Sequence, residues 1–274
     1  PRATIGDPDL VVYPRSSLKP MQAHAMIASG LELDDAQLAV ACASHDGSAM
    51  HLEAVRSILA RYDLDESDLA NTPTRPSGAA PRAAARAAGI EPSSIQQNCS
   101  GKHAAMLATC RVNGWSIDGY LDQGHPVQVA ITAGMVSLGA VVHHVGVDGC
   151  GAPTHALSLA ELAGAFATLA APGSVIARAM TAHPALVAGS TRDVTLWMQA
   201  VPTLIAKEGA AGVMVAALAD GRAIAYKVAD GSDAARQAIV AESLRAAGVD
   251  VDTVASATVA DVAVPVLGHG RAVG

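Results

Sequence analysis

The chain has 274 residues, of which 51% are hydrophobic, 16% charged and 3% aromatic, and its net charge is −7. That apolar content excludes general disorder, and an acidic chain without a basic cluster argues against nucleic acid as a partner. No apolar run reaches the ~18 residues that a membrane span needs, and with a single Phe the core has to be filled by Ala, Val, Leu and Met.

The length fits one large domain or two small ones. In chain order, residues 1–20 read as an extended entry with a short strand at Leu10–Tyr13. A helix follows over Pro20–Ala28, with proline at a first-turn position. Leu38–Ala43 is a short apolar run that periodicity does not assign to strand or buried helix. Met50–Arg61 is an amphipathic helix, residues 70–82 are a proline-rich loop, and Arg82–Ala88 is a short helix. Gly101–Val112 and Pro126–Leu138 are apolar helices. Val141–Val147 reads as a strand ending in Asp148-Gly149-Cys150-Gly151. Helices are expected over Leu159–Leu169, Val175–Ala182 and Arg192–Gln199. The last third reads as strands Thr203–Ala206, Val213–Leu218 and Ala223–Val228, with Asp220-Gly221 as a hairpin turn. A helix over Ala234–Ala247 and a strand over Val262–Leu267 close the chain. The pattern is α+β: one domain over 1–274, its helical part, about 50–200, inserted into or packed on an antiparallel sheet.

Only four lysines are present, Lys19, Lys102, Lys207 and Lys227, so the context of each is informative. Ser16-Ser17-Leu18-Lys19 is an S-x-x-K, and on a helix Ser16 and Lys19 share a face. A desolvated lysine there can act as the base that activates serine. Ser44-His45-Asp46 follows an apolar run, in the place where serine hydrolases of the penicillin-recognising type carry S-D-N. Their third motif, K-T-G, has two candidates. Lys207-Glu208-Gly209 has the closer tripeptide, and Lys227 has the better strand setting. Taken singly, each of these residues also reads as a cap or a solvated side chain.

Asn98-Cys99-Ser100-Gly101-Lys102-His103 opens an apolar helix, and Cys150 lies in a Gly-flanked loop. Two thiols plus nitrogen donors make a plausible zinc set, but without a C-x-x-C the spacing alone favours buried apolar thiols, with a nucleophilic Cys99 or a disulfide also open. Cys42 and Cys110 read as core. Four cysteines are too few for a disulfide-dense secreted scaffold, and the start, Pro1-Arg2-Ala3, shows no signal pattern, so a cytoplasmic setting is expected. His143 and His144 are adjacent on a strand and point to opposite faces. No dinucleotide, Walker A or H-E-x-x-H motif is present.

Arg15-Ser16-Ser17-Leu18-Lys19-Pro20, Cys42-Ala43-Ser44-His45, Asn98-Cys99-Ser100-Gly101-Lys102-His103, Asp148-Gly149-Cys150 and Lys227-Val228-Ala229-Asp230-Gly231 together resemble the rhizobial-type (class 3) L-asparaginases. The resemblance implies a serine β-lactamase- or glutaminase-like fold, hydrolysis of L-asparagine to aspartate and ammonia, and a homodimer. It implies two Ser–Lys tandems, Ser16 with Lys19 and Ser44 with Lys227, so it selects Lys227 over Lys207. It also implies a zinc ion held by Cys99, Lys102 and Cys150. By adjacency, Arg15 and His45 are expected to bind the substrate carboxylate, and Asp148 its α-ammonium. A glutaminase, another S-x-x-K acyl-enzyme and a non-catalytic zinc- or amino-acid-binding module are the rival readings.

Overall fold

The computed structural model describes residues 3–251, 267–268 and 271–272. The short apolar run of uncertain type is a helix, α2 (Asp35–Ala41). Asp34 decides this locally. Its side chain accepts from the Gln37 N–H at 2.8 Å, and Gln37 Oε1 accepts from the Asp34 N–H at 3.2 Å, a reciprocal cap that satisfies two helix-end donors. Leu38, Ala39, Val40 and Ala41 are all buried, because α2 packs against α3 (Ala49–Arg61), α5 (Ser100–Val112), α8 (Val175–Ala182) and α9 (Pro184–Val187). A helix buried on every side carries no amphipathic period.

The remaining helices follow the sequence expectations closely: α1 (Lys19–Ala28), α4 (Ala79–Ala87), α6 (Pro126–Ser137), α7 (Leu159–Leu169), α10 (Asp193–Ala200) and α11 (Arg236–Ala246). Helix α4 starts earlier than expected, since Pro81 falls in its first turn, where a missing N–H costs nothing. Seven of the eight methionines are buried, as are Phe166 and Trp197, so unbranched side chains fill a core short of aromatics.

Among the described residues, two three-stranded antiparallel sheets and one two-stranded pair are formed. In the first, β1 (Val11–Val12) and β2 (His144–Val147) flank β3 (Pro153–Ser158). Strand β3 was not anticipated. It is six residues long and buried throughout, so it shows no alternation, and it runs straight into the Ser158 cap of α7. The β2–β3 turn carries Asp148 and Cys150. The Asp148 N–H bonds the Ala152 carbonyl at 2.9 Å, the Gly151 N–H bonds that of Asp148 at 2.9 Å, and Gly151 takes φ 89°, a conformation that glycine adopts freely.

The second sheet is ordered β4 (Ile205–Gly209), β5 (Val213–Ala217), β6 (Ala223–Lys227). Strand β4 begins and ends later than the expected Thr203–Ala206, so Lys207-Glu208-Gly209 lies inside it. Helix α7 packs against both β5 and β6, and α10 against β4. The strand expected over Val262–Leu267 lies outside the described residues except for Leu267, which pairs with Ala272 as β7 (Leu267–Gly268) meets β8 (Arg271–Ala272). Mixed helices and small antiparallel sheets agree with the α+β expectation.

Candidate active site

Four segments converge on one point. The first is a 3-10 turn, Arg15–Leu18, that leads directly into α1. It lies against β4, where Ser17 Oγ donates to the Lys207 carbonyl at 3.1 Å. A Cβ on Gly209 would sit 2.1 Å from the Pro14 carbonyl oxygen, so only glycine permits this approach. The second segment is the extended stretch after α2, fixed by the Ser44 N–H to the Val187 carbonyl at 3.0 Å and the His45 N–H to the Asn98 carbonyl at 3.2 Å. The third is the N-terminus of α5. There a Cβ on Gly101 would sit 2.1 Å from the Val40 carbonyl, so glycine sets how closely α5 and α2 cross. The β2–β3 turn is the fourth.

The centre of the arrangement is Ser44. Its Oγ lies 3.1 Å from Lys19 Nζ and 2.9 Å from Lys207 Nζ. Lys19 Nζ also reaches the carbonyls of Ala43 at 2.5 Å and Asn98 at 3.3 Å. Lys207 Nζ also donates to the Glu208 carbonyl at 2.9 Å. Both lysines are buried. Burial drives the Lys207 pKa down to about 8, with Lys19 and Arg192 adding to the effect and Glu208 opposing it. An amine tuned this far down is partly neutral near physiological pH and can accept a proton.

Two expected pairings change. Lys227 does not meet Ser44. It sits on β6, separated from β4 by β5, and its Nζ donates to the Val228 carbonyl at 2.5 Å. Lys207 occupies the place expected for Lys227, and its K-E-G tripeptide was the signal that pointed to it. Lys19 turns toward Ser44 rather than Ser16. Ser16 is half-buried, and its Oγ makes no hydrogen bond among the described residues.

The expected metal residues do come together. Lys102 Nζ lies 3.2 Å from Cys150 Sγ, Cys99 Sγ donates to Asn98 Oδ1 at 3.3 Å, and the two thiols influence each other's ionisation. The neighbouring Cys150 holds the Cys99 thiol well below its ordinary value against the effect of burial, and Lys19 and Lys102 reinforce this. Burial works against the charge on Lys102, yet the two cysteines hold its pKa above the usual lysine value. His103, on the same turn of α5, keeps a buried Nε2 without a partner, while its Nδ1 meets the Tyr120 hydroxyl at 2.9 Å. Two thiols and an amine in one buried cluster are donor types that zinc accepts. Among the described residues, no three of His, Cys, Asp and Glu form a group that could hold a metal ion. All four cysteines are free thiols.

Of the expected substrate contacts, Arg15 and Asp148 pair with one another, Nε to Oδ1 at 2.5 Å, and the Gly149 N–H joins the same oxygen at 2.7 Å. Burial opposes ionisation of Asp148, but the Arg15 and Gly149 hydrogen bonds and the nearby Lys102 charge hold its carboxyl below the usual range. Arg15 takes φ 55°, a left-handed backbone that costs a non-glycine residue ~1–2 kcal/mol. His45 differs from expectation. It is fully buried, its Nε2 meets Ser100 Oγ at 2.8 Å, and its ring stacks on His51 at 5.1 Å. Burial first, then the His51 and Lys19 charges, push its pKa well down. A neutral imidazole bonded to the first turn of α5 anchors that helix and is not placed to bind a carboxylate. Sequence reading gave Arg192 and Tyr120 no place in the site and named Glu208 only within the Lys207-Glu208-Gly209 tripeptide.

Hydroxyls beside a buried, partly neutral amine equip a protein for acyl transfer from an amide or ester. The sequence model of the L-asparaginase II family matches residues 2–274. The chain belongs to that family. A search of curated proteins found no match. Among the described residues, no helix is long and apolar enough to cross a membrane.

Proposed function

We propose that the protein hydrolyses the side-chain amide of L-asparagine to aspartate and ammonia through serine–lysine chemistry, in the manner of the rhizobial-type (class 3) enzymes. The observation that carries the reading is Ser44 Oγ held between Lys19 Nζ at 3.1 Å and Lys207 Nζ at 2.9 Å. An amino-acid substrate brings one carboxylate and one ammonium group. The Arg15–Asp148 pair offers one counter-charge for each, and the substrate's α-groups replace the contact between them.

In this reading Ser16 Oγ attacks the carboxamide carbon, and its proton passes to Lys19, whose amine turns from Ser44 to Ser16 to receive it. The C–N bond of the tetrahedral intermediate breaks as ammonia leaves with a proton supplied through Ser44 and Lys207. Water then attacks the acyl-serine ester, giving its proton to the same amines, and Ser16 recovers its proton as aspartate departs. Zinc bound by Cys99, Lys102 and Cys150 would supply a local positive charge that polarises and positions substrate oxygen. Lys102 would lose its proton on binding the metal. The resemblance also carries a homodimer, and the low cysteine count favours a cytoplasmic setting.

A second reading makes Ser44 the nucleophile. It is favoured by direct hydrogen bonds to both amines, whereas Ser16 has none. In favour of Ser16, it is half-buried, while Ser44 is 6% exposed. Ammonia release from L-asparagine and L-glutamine, measured side by side before and after chelation, tests the function. Release from asparagine supports it, and no release from either rejects it. Mass spectrometry of the trapped acyl-enzyme decides between the serines, with the adduct expected on the peptide carrying Ser16.

A further inference from the structure

Glu208 follows Lys207 on β4, and strand alternation starts their side chains on opposite faces. Lys207 Nζ nevertheless curls back to the Glu208 carbonyl at 2.9 Å and lies 3.1 Å from Glu208 Oε1. Arg192, just ahead of α10, approaches the same oxygen at 3.6 Å. The Glu208 residue is 5% exposed, and among the described residues its carboxylate has ion-pair contacts but no well-aligned hydrogen bond. A carboxylate buried with charged neighbours but without well-aligned hydrogen bonds is an expensive way to stabilise a fold. Its field, however, acts at full strength on the amine beside it.

The charged and titratable groups around Lys207 come from four places. They are Glu208 on its own strand, Lys19 at the start of α1, Arg192 ahead of α10, and the Cys42 thiol at the end of α2, which feels the Lys207 charge. Arg236 of α11, whose Nε is held by Asp193 at 2.5 Å, also senses the Glu208 charge. Arg192 is one-third exposed and lines an open cleft of about 330 Å³ with Thr191, Asp193, Asp233 and Arg236. When Lys207 is neutral, Arg192 balances Glu208. When Lys207 holds a proton, Glu208 offsets the repulsion from Lys19. The trio can carry either charge state of the amine.

We propose that Glu208, steadied by Arg192, is the positioning residue that fixes the charge of Lys207 and with it the pH at which the Ser44 pair works. The catalytic half of this rests on the proposed amidohydrolase reading. With only four lysines in the chain, the lysines can be isotope-labelled and titrated by NMR, and Lys207→Met identifies the Lys207 signal by its loss. The parent midpoint is expected near 8. Glu208→Gln removes the anion that favours the ammonium form and should lower that midpoint by about one unit or more. Arg192→Gln should raise it, and Glu208→Asp should restore part of the parent value. The acid limb of kcat/KM for ammonia release should move with the midpoint in each variant.

Opposite shifts from two neighbouring substitutions are not what a merely structural role produces. A Lys207 midpoint unchanged in Glu208→Gln, or one that moves while the rate profile stays, overturns the proposal. Arg192 is exposed enough to replace, so Arg192→Gln decides the matter if Glu208→Gln does not fold. The NMR titration needs no substrate. A parent that released no ammonia would therefore fail the proposed function, and the Lys207 midpoint would still decide this inference.

Discussion

Lys207→Met tests the site at its centre. Methionine keeps much of the apolar stem and removes the amine that lies 2.9 Å from Ser44 Oγ. Loss of a general acid–base group lowers turnover by about 10²- to 10⁴-fold, so ammonia release should fall by at least a hundredfold. The fold should survive, and the substitution leaves a thermodynamic trace. Burial takes the Lys207 pKa from 10.5 to about 8. Because the folded value lies below the unfolded one, the penalty for holding the ammonium is complete below the folded value and is relieved as pH rises to the unfolded value. Stability therefore rises across that window, by about 3 kcal/mol for this group. Urea unfolding of parent and variant at intervals from neutral to alkaline pH isolates the effect as the difference between the two curves. The parent should gain on the variant as pH rises. Lys227→Met, made in parallel, should leave both turnover and the difference curve near the parent's. A Lys207→Met enzyme with more than half the parent activity would refute the placement of Lys207, and equal loss in Lys227→Met would return the role to β6.

Asp148→Asn removes one charge of the Arg15 pair and should raise KM by about ten- to hundredfold with a smaller change in kcat, the range expected for a lost charged hydrogen bond; steady-state kinetics would show it. Cys150→Ala should lower the zinc retained after dialysis and mainly raise KM, and a variant that keeps full metal content would remove Cys150 from the ligand set. Gly209→Ala places a methyl 2.1 Å from the Pro14 carbonyl and 2.9 Å from Ser17 Oγ. It should cost about 1–3 kcal/mol by overpacking, together with activity as the 3-10 turn is pushed off β4. Thermal melting and ammonia release, read together, check both effects.

Much of the architecture was legible because it is local. Proline at the starts of α1 and α6 and the periodic apolar positions of α3 and α7 set those helices without reference to the rest of the chain. Asp220-Gly221 set the β5–β6 hairpin, where Gly221 takes φ 88°. Strand β3 and helix α2 were hidden for one reason: both are buried on all sides, so neither shows a period. The Cys99, Lys102 and Cys150 cluster was suggested by resemblance, and the structure draws its three members together.

The lysine partner of Ser44 was not legible, and strand register explains why. Lys207 pairs with Val215, Gly209 with Val213, and Val213 with Lys227. Both lysines therefore stand on one face of the same sheet, and each has a reasonable local setting. The sequence by itself determined most of the helices, the hairpin and the S-x-x-K and Asn-Cys-Ser-Gly-Lys-His motifs. Which edge of the sheet faces Ser44 was decided only in three dimensions. The 3-10 turn packs against β4, where Gly209 leaves room for the Pro14 carbonyl and Ser17 Oγ bonds the backbone of Lys207. That contact joins residues 190 apart in the chain, a distance over which no local pattern acts.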